Sequence, residues 1–219
     1  MMLKQSNLSR AEALTLTGDA QSLAEQLGSA AGLAVLGAGA AFPAGRIDSL
    51  PALRDFLLRY QAQILIPLEL PAISRACILT SEGKARELIE LDRSLAGEPA
   101  LRDFAAASWR AGQSQLRRLR PLRDHRVAQR YLRAVENGAA DGWHSLAFGV
   151  TLAVFSLPLR QGLLHYARQT GWGFIQAAHR TVEFSEGEDA TLLGELSADW
   201  PPAIEAALAP PSGRPAPIA

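Results

Sequence analysis

Apolar residues recur along this chain at spacings of three and four for most of its length, the signature of helices that each bury one face. Ser9-x-x-Glu12 reads as a capping box opening a first helix, which Gly28 stops. The small-residue segment 32–45 predicts a short helix ended by Pro43 and Gly45. Ser49 stands where a cap is needed before Leu50, Leu53, Leu57, Tyr60 and Ile64, and Pro67 is expected to end that helix. A helix over 69–80 carries Pro71 in its first turn, and Gly83 separates it from one bearing Leu88, Ile89, Leu91 and Leu95. Gly97 stops that helix, and the next spans 99–119 until Pro121 breaks it. Helices over 123–135, 143–157, 159–180, 187–196 and 202–208 complete the pattern, with Asn137-Gly138 as a turn and a bend expected near Gly171 and Gly173. No segment alternates with period two.

The expected architecture is therefore all-α: a single-domain helical bundle of about 8–10 helices over residues 31–209. An N-terminal helix in 1–30 precedes it, and a Pro-rich tail, 210–219, is read as disordered.

Two helices carry small residues where large ones would bury more surface. In 99–119 one stripe holds Leu101, Phe104, Ala105, Ser108, Gly112, Leu116 and Leu119. A glycine inside a helix costs about 1 kcal/mol relative to alanine, so close approach of another backbone is the expected compensation. The segment 143–157 is apolar nearly all round, which marks a central buried helix, and Ser145, Gly149 and Ala153 form a shallow groove along it. Ser108, Gly112, Ser145, Gly149 and Ala153 serve either packing within one chain or the seam of a dimer; both readings stand.

Composition narrows the chemistry. Just under half of the 219 residues are apolar, enough to bury a sizeable core, and basic and acidic side chains balance. The local distribution is uneven. Residues 110–133 hold eight Arg and one acid, whereas residues 181–213 hold seven acids and no base. Lys4 and Lys84 are the only lysines, so the basic stretch is made of side chains suited to bidentate contacts. Its only interleaved aromatics are Tyr131 and the adjoining Trp109, and it adjoins the small-residue stripe, so it is read as a protein contact ahead of a nucleic-acid contact. Cys77 is the only cysteine and sits in an apolar stretch as a small hydrophobe. No secretory signal is seen, and Gly, Pro, Ser or His interrupts both long uncharged runs. The expectation is a cytoplasmic protein that spans no membrane.

The search for catalytic machinery is negative. Gly37-x-Gly39 lacks the third glycine of a dinucleotide loop, where Phe42 stands instead, and no strand leads into it. There is no Walker loop and no nucleophile elbow. His125, His144, His165 and His179 show no metal-ligand spacing, and His144, at the start of the apolar helix, reads as a satisfied buried side chain or first-turn cap. The acids between Glu183 and Glu205 form no evident acid–base pair. No catalytic residue, metal ligand or cofactor is assigned, and the chain is read as a protein-binding protein and not an enzyme.

Several elements occur in a set order: Phe42-Pro43-Ala44-Gly45, Leu70-Pro71, Leu88-x-x-Leu91-Asp92, Ser108-x-x-x-Gly112-x-x-x-Leu116, His144-x-x-x-x-Gly149, then Ala177-Ala178-x-Arg180 before a Leu-rich helix. From about Phe42 to Leu208 the chain resembles the urease accessory protein UreF family. The resemblance implies an all-α fold, a homodimer and no catalysis of its own. It implies bridging of a UreG-like GTPase and a UreD-like (UreH-like) protein in a complex that loads nickel into apo-urease. It places His144 and Arg180 with the small-residue positions as candidate interface residues, Arg180 at a polar position matching the family pattern. The chain departs from that pattern in three places. Gly45 leads almost directly to the Ser49 helix without a Ser-x-Gly-Leu-Glu segment, Ser185-Glu186 replaces a Gly-Gln pair, and the tail that docks into UreD has no counterpart before Ala219. The alternatives carried beside this reading are a helical transcription regulator that binds nucleic acid through its Arg-rich segment, a divergent UreF-like scaffold with a different partner, and a helical enzyme whose site is assembled across helices.

Overall fold

The computed structural model describes residues 47–209. The expected N-terminal helix, the 32–45 segment with Phe42-Pro43-Ala44-Gly45, and the Pro-rich tail lie outside the described residues. Within them all regular structure is helical. The elements are α1 (Leu50–Tyr60), a π-helical segment (Gln61–Glu69), α2 (Leu70–Ser81), α3 (Ala85–Ala96), a 3-10 segment (Pro99–Phe104), α4 (Ala105–Arg118), α5 (Arg126–Glu136), α6 (His144–Val154), α7 (Leu159–Ala178), α8 (Glu188–Ser197) and α9 (Trp200–Leu208).

One expectation is corrected. Pro67 does not end the first helix; it sits inside the π-helical segment, and the chain stays helical from Leu50 to Ser81, 32 residues. In an α-helix the proline ring collides with the carbonyl four residues back and one hydrogen bond is lost. Winding from i→i+4 to i→i+5 gives the ring room and keeps the flanks helical; Tyr60 and Leu70 on either side are both in the right-handed α region. Ser49 does occupy the N-cap of α1 but makes no side-chain capping bond. The helix expected over 143–157 closes earlier, at Val154, where Ser156 takes φ 52° and the Leu157 N–H reaches back to the Leu152 carbonyl at 2.8 Å.

The core is built around two crossed helices. α6 has ten of its eleven residues buried, only Ala153 being partly open, because its sequence is apolar on every side. α2 lies across it, and α4 covers another side of α6. α7 and α9 pack on α2, and α8 joins α7, α9 and α1. α3 and α5 pack together beside α2 and α4. The helix Leu50–Ser81 is long and apolar enough to cross a bilayer, with mean hydropathy 1.4 in its best window, yet 56% of that window is buried inside this chain. It is the core helix of the bundle, as Leu53, Leu70 and Ile73 at zero exposure show.

Candidate partner-binding surface and the buried groups behind it

Three of the sequence elements that resemble UreF meet at one place, the N-terminus of α6. Every helix leaves its first N–H groups without partners, and Trp143, the N-cap here, supplies no side-chain acceptor. Neighbouring helices supply them. Asp92 on α3, fully buried, accepts from the N–H groups of Asp141, Gly142 and Trp143 at 2.6, 3.0 and 3.4 Å and from the Tyr131 hydroxyl at 2.5 Å. Ser108 Oγ on α4 accepts the His144 N–H at 3.1 Å. Gly112, one turn on, lets α4 touch this segment: a Cβ there would stand 2.1 Å from the Gly142 carbonyl oxygen and 2.7 Å from the His144 nitrogen. Burial, then the Asp92 charge, raises both the Tyr131 hydroxyl and the Asp141 carboxyl.

Further along α6, Gly149 meets α2. A Cβ there would lie 2.5 Å from the Ile73 carbonyl oxygen and 2.9 Å from Ala76 Cβ. The groove read from Ser145, Gly149 and Ala153 is thus met at Gly149 by a helix of the same chain.

A second buried carboxylate escaped the sequence reading. Glu69 accepts from the Tyr60 hydroxyl at 2.8 Å and from the Tyr166 hydroxyl at 3.1 Å. Nine residues along an α-helix is two and a half turns, which would put Tyr60 and Glu69 on opposite faces. The wider π winding makes the same nine residues about two turns and brings them together. Burial pushes the Glu69 carboxyl up to about 7 against the two hydrogen bonds that lower it. His144 lies beside Tyr166, ring centroids 5.5 Å apart, and burial holds its imidazole down to about 4. A signal was present in the sequence: Glu69 is the only charged residue between Arg59 and Arg75.

Of the residues expected at an interface, Ser108, Gly112, His144, Ser145 and Gly149 are buried within this chain. They set the shape of the α4–α6–α2 stack. Ala153 is partly buried, and Arg180, just past the end of α7, is exposed. Beside Arg180, His179 stacks on Phe184 at 4.2 Å.

Two outer features stand out. On α7, Leu164 and Trp172 are 44% and 38% exposed, eight residues apart on one face. Trp172 borders an open groove of about 660 Å³ between α7 and α8, lined also by Arg168, Gln169, Leu193 and Ser197. The other is basic: all eight arginines between 110 and 133 are exposed, on α4, on α5 and at the corner joining them. Among the described residues no group of three His, Cys, Asp or Glu side chains is placed to hold a metal ion.

A family model for UreF matches residues 47–197, well over half of the chain and all of α1 to α8. The chain belongs to the UreF family. UreF proteins are accessory, non-catalytic partners of urease, so a role among the urease accessory proteins follows in general terms. No curated protein matches the sequence. The UreF match opens at Ile47, so Phe42-Pro43-Ala44-Gly45 lies outside it, while Asp92, Ser108, Gly112, His144, Gly149 and Arg180 all lie within.

Proposed function

We propose that this UreF-family chain is a non-catalytic assembly factor that bridges a UreG-like GTPase and a UreD-like (UreH-like) protein while nickel is inserted into apo-urease. The observation that carries the reading is the family match across residues 47–197. In this reading the chain works as a homodimer in the cytoplasm, and the metal is cargo held by its partners. The buried residues Ser108, Gly112, His144, Ser145 and Gly149 act through the shape of the helix stack, and Arg180, exposed at the end of α7, is the proposed partner contact. A rigid stack of crossed helices suits such a role, because it presents outer faces in fixed relation without spending their side chains on the core.

The test is reconstitution of this chain with a UreG-like GTPase, a UreD-like protein and apo-urease. The expected result is a complex containing both accessory partners and a dimer of this chain, with urease activation that depends on it. A monomer that binds neither partner and leaves urease activation unchanged would overturn the reading.

A further inference from the structure

We infer that the outward face of α5, with the α4–α5 corner beside it, docks an acidic protein surface, Arg126, Arg130 and Arg133 being the contact residues. The inference rests on the accessory-protein reading above and adds the surface and the chemistry of its partner.

α5 is sharply two-sided. Ala128, Tyr131, Leu132 and Ala134 are buried, while Arg126, Arg130 and Arg133 are exposed at steps of four and three residues, one stripe along the helix. At a rise of 1.5 Å per residue these guanidinium groups are spaced about 6 and 4.5 Å along the axis, the repeat of acids on one face of a facing helix. Arg123 and Arg120 extend the stripe at the corner, and Arg117 and Arg118 close α4. Little in the chain answers this charge. Arg120 pairs with Glu136, Arg117 reaches only the Gln113 amide oxygen at 3.5 Å, and Arg133 Nε donates to the Gln129 carbonyl of its own helix at 3.3 Å. The guanidinium groups of Arg110, Arg123, Arg126 and Arg130 make no ion pair or hydrogen bond with any described residue.

The placement also runs against the helix's own preference. The N-terminal end of α5 is its positive end, and its first turn holds Arg126 and no acid, with no side-chain cap from His125. An arrangement that costs the free chain stability is relieved when carboxylates arrive. Carboxylates of a protein fit better than a nucleic-acid backbone on two counts. The aromatic residues of this stretch point inward, Tyr131 fully buried and Trp109 packed on the core, so no stacking platform is offered. The chain as a whole is neutral, with a pI near 6.9, whereas domains that bind nucleic acid through phosphates carry a marked positive excess.

The experiment compares wild type with Arg126→Glu/Arg130→Glu/Arg133→Glu and with the triple Lys variant, measuring affinity for the GTPase and for the UreD-like protein at low and physiological salt. For one of the two partners, the Glu variant is expected to bind at least about tenfold more weakly and to lose much of the salt dependence, and the Lys variant to fall between. The melting temperature of the Glu variant should stay close to that of wild type, because acid at residue 126 suits the positive end of α5 while acid at residue 133 opposes its negative end. Undiminished binding by a folded Glu variant overturns this inference and leaves the accessory reading intact. So does a wild type whose Arg-dependent ligand is a random-sequence DNA duplex while the protein complex is unaffected. A wild type that binds neither accessory protein removes both.

Discussion

Alanine at Gly112 and alanine at Gly194 should move stability in opposite directions, although each replaces a glycine inside a helix. Helix propensity alone favours alanine by about 1 kcal/mol at both sites. At Gly194 in α8 a new Cβ meets nothing within 4 Å, so that gain should be realised as a rise of about 2–4 °C in melting temperature. At Gly112 the new Cβ lies 2.1 Å from the Gly142 carbonyl oxygen and 2.7 Å from both the His144 nitrogen and the Trp143 carbonyl carbon. All three are backbone atoms, so no side chain can swing aside, and the α4–α6 crossing must open by about 1 Å. Overpacking of this kind costs about 1–3 kcal/mol. Opening also stretches the Ser108–His144 hydrogen bond, 3.1 Å at rest, for about 1 kcal/mol more. The net expectation is a loss of about 1–3 kcal/mol, read as a lower urea midpoint by far-UV circular dichroism with unchanged slope. A Gly112→Ala variant as stable as wild type would refute the claim that this glycine exists for backbone contact.

Asp92→Ala should cost about 3–5 kcal/mol, because three backbone N–H groups and the Tyr131 hydroxyl lose their acceptor in a buried place, and Asp92→Asn should cost less; equal melting temperatures for the two variants would count against the knot. Glu69 and His144 should impose opposite pH slopes. The Glu69 carboxyl is raised from 4.5 to about 7, so the folded state holds the proton longer and stability falls as pH climbs between those values, by an amount on the order of 3 kcal/mol. The His144 imidazole is lowered from 6.5 to about 4, so stability rises over that interval and the two effects largely cancel. Glu69→Gln should therefore expose a rise in stability from pH 4 to 6.5 that wild type lacks, and a variant with the wild-type pH profile would contradict the assignment. Arg180→Ala should leave the unfolding free energy within about 0.5 kcal/mol of wild type while weakening the complex with an accessory partner, which calorimetric titration checks.

What the chain made legible by itself was everything carried by spacing. The helices from α2 to α9 were readable because their apolar residues repeat at the helical period and because Gly83, Gly97 and the Asn137-Gly138 turn punctuate them. Gly112 and Gly149 were readable as sites of close approach, since a glycine in a helix interior needs a reason. What faces each of them was not. The segment Gly142–His144 and the Ile73 turn are distant in sequence, and only the folded arrangement makes them neighbours. Pro67 misled, because a proline is read as a helix end when the only alternative considered is the α winding, and the i→i+5 segment is a different answer to the same steric conflict.

The same division holds for the polar groups. Asp92 was visible within Leu88-x-x-Leu91-Asp92, but its task of receiving the N–H groups of Asp141, Gly142 and Trp143, just ahead of α6, depends on a loop some fifty residues later. Glu69 was one charge in a greasy run, and its partner Tyr166 is 97 residues away. The Arg content of residues 110–133 was plain, whereas its exposure and the absence of an ion pair at Arg126 and Arg130 are facts of packing. Periodicity, breaks and the places where side chains are too small are written along the chain, because they depend on neighbours a few residues apart. Which backbone fills each gap, which carboxylate meets which donor and which charges are left facing outward emerge only on folding, because those contacts join segments that the chain does not place side by side.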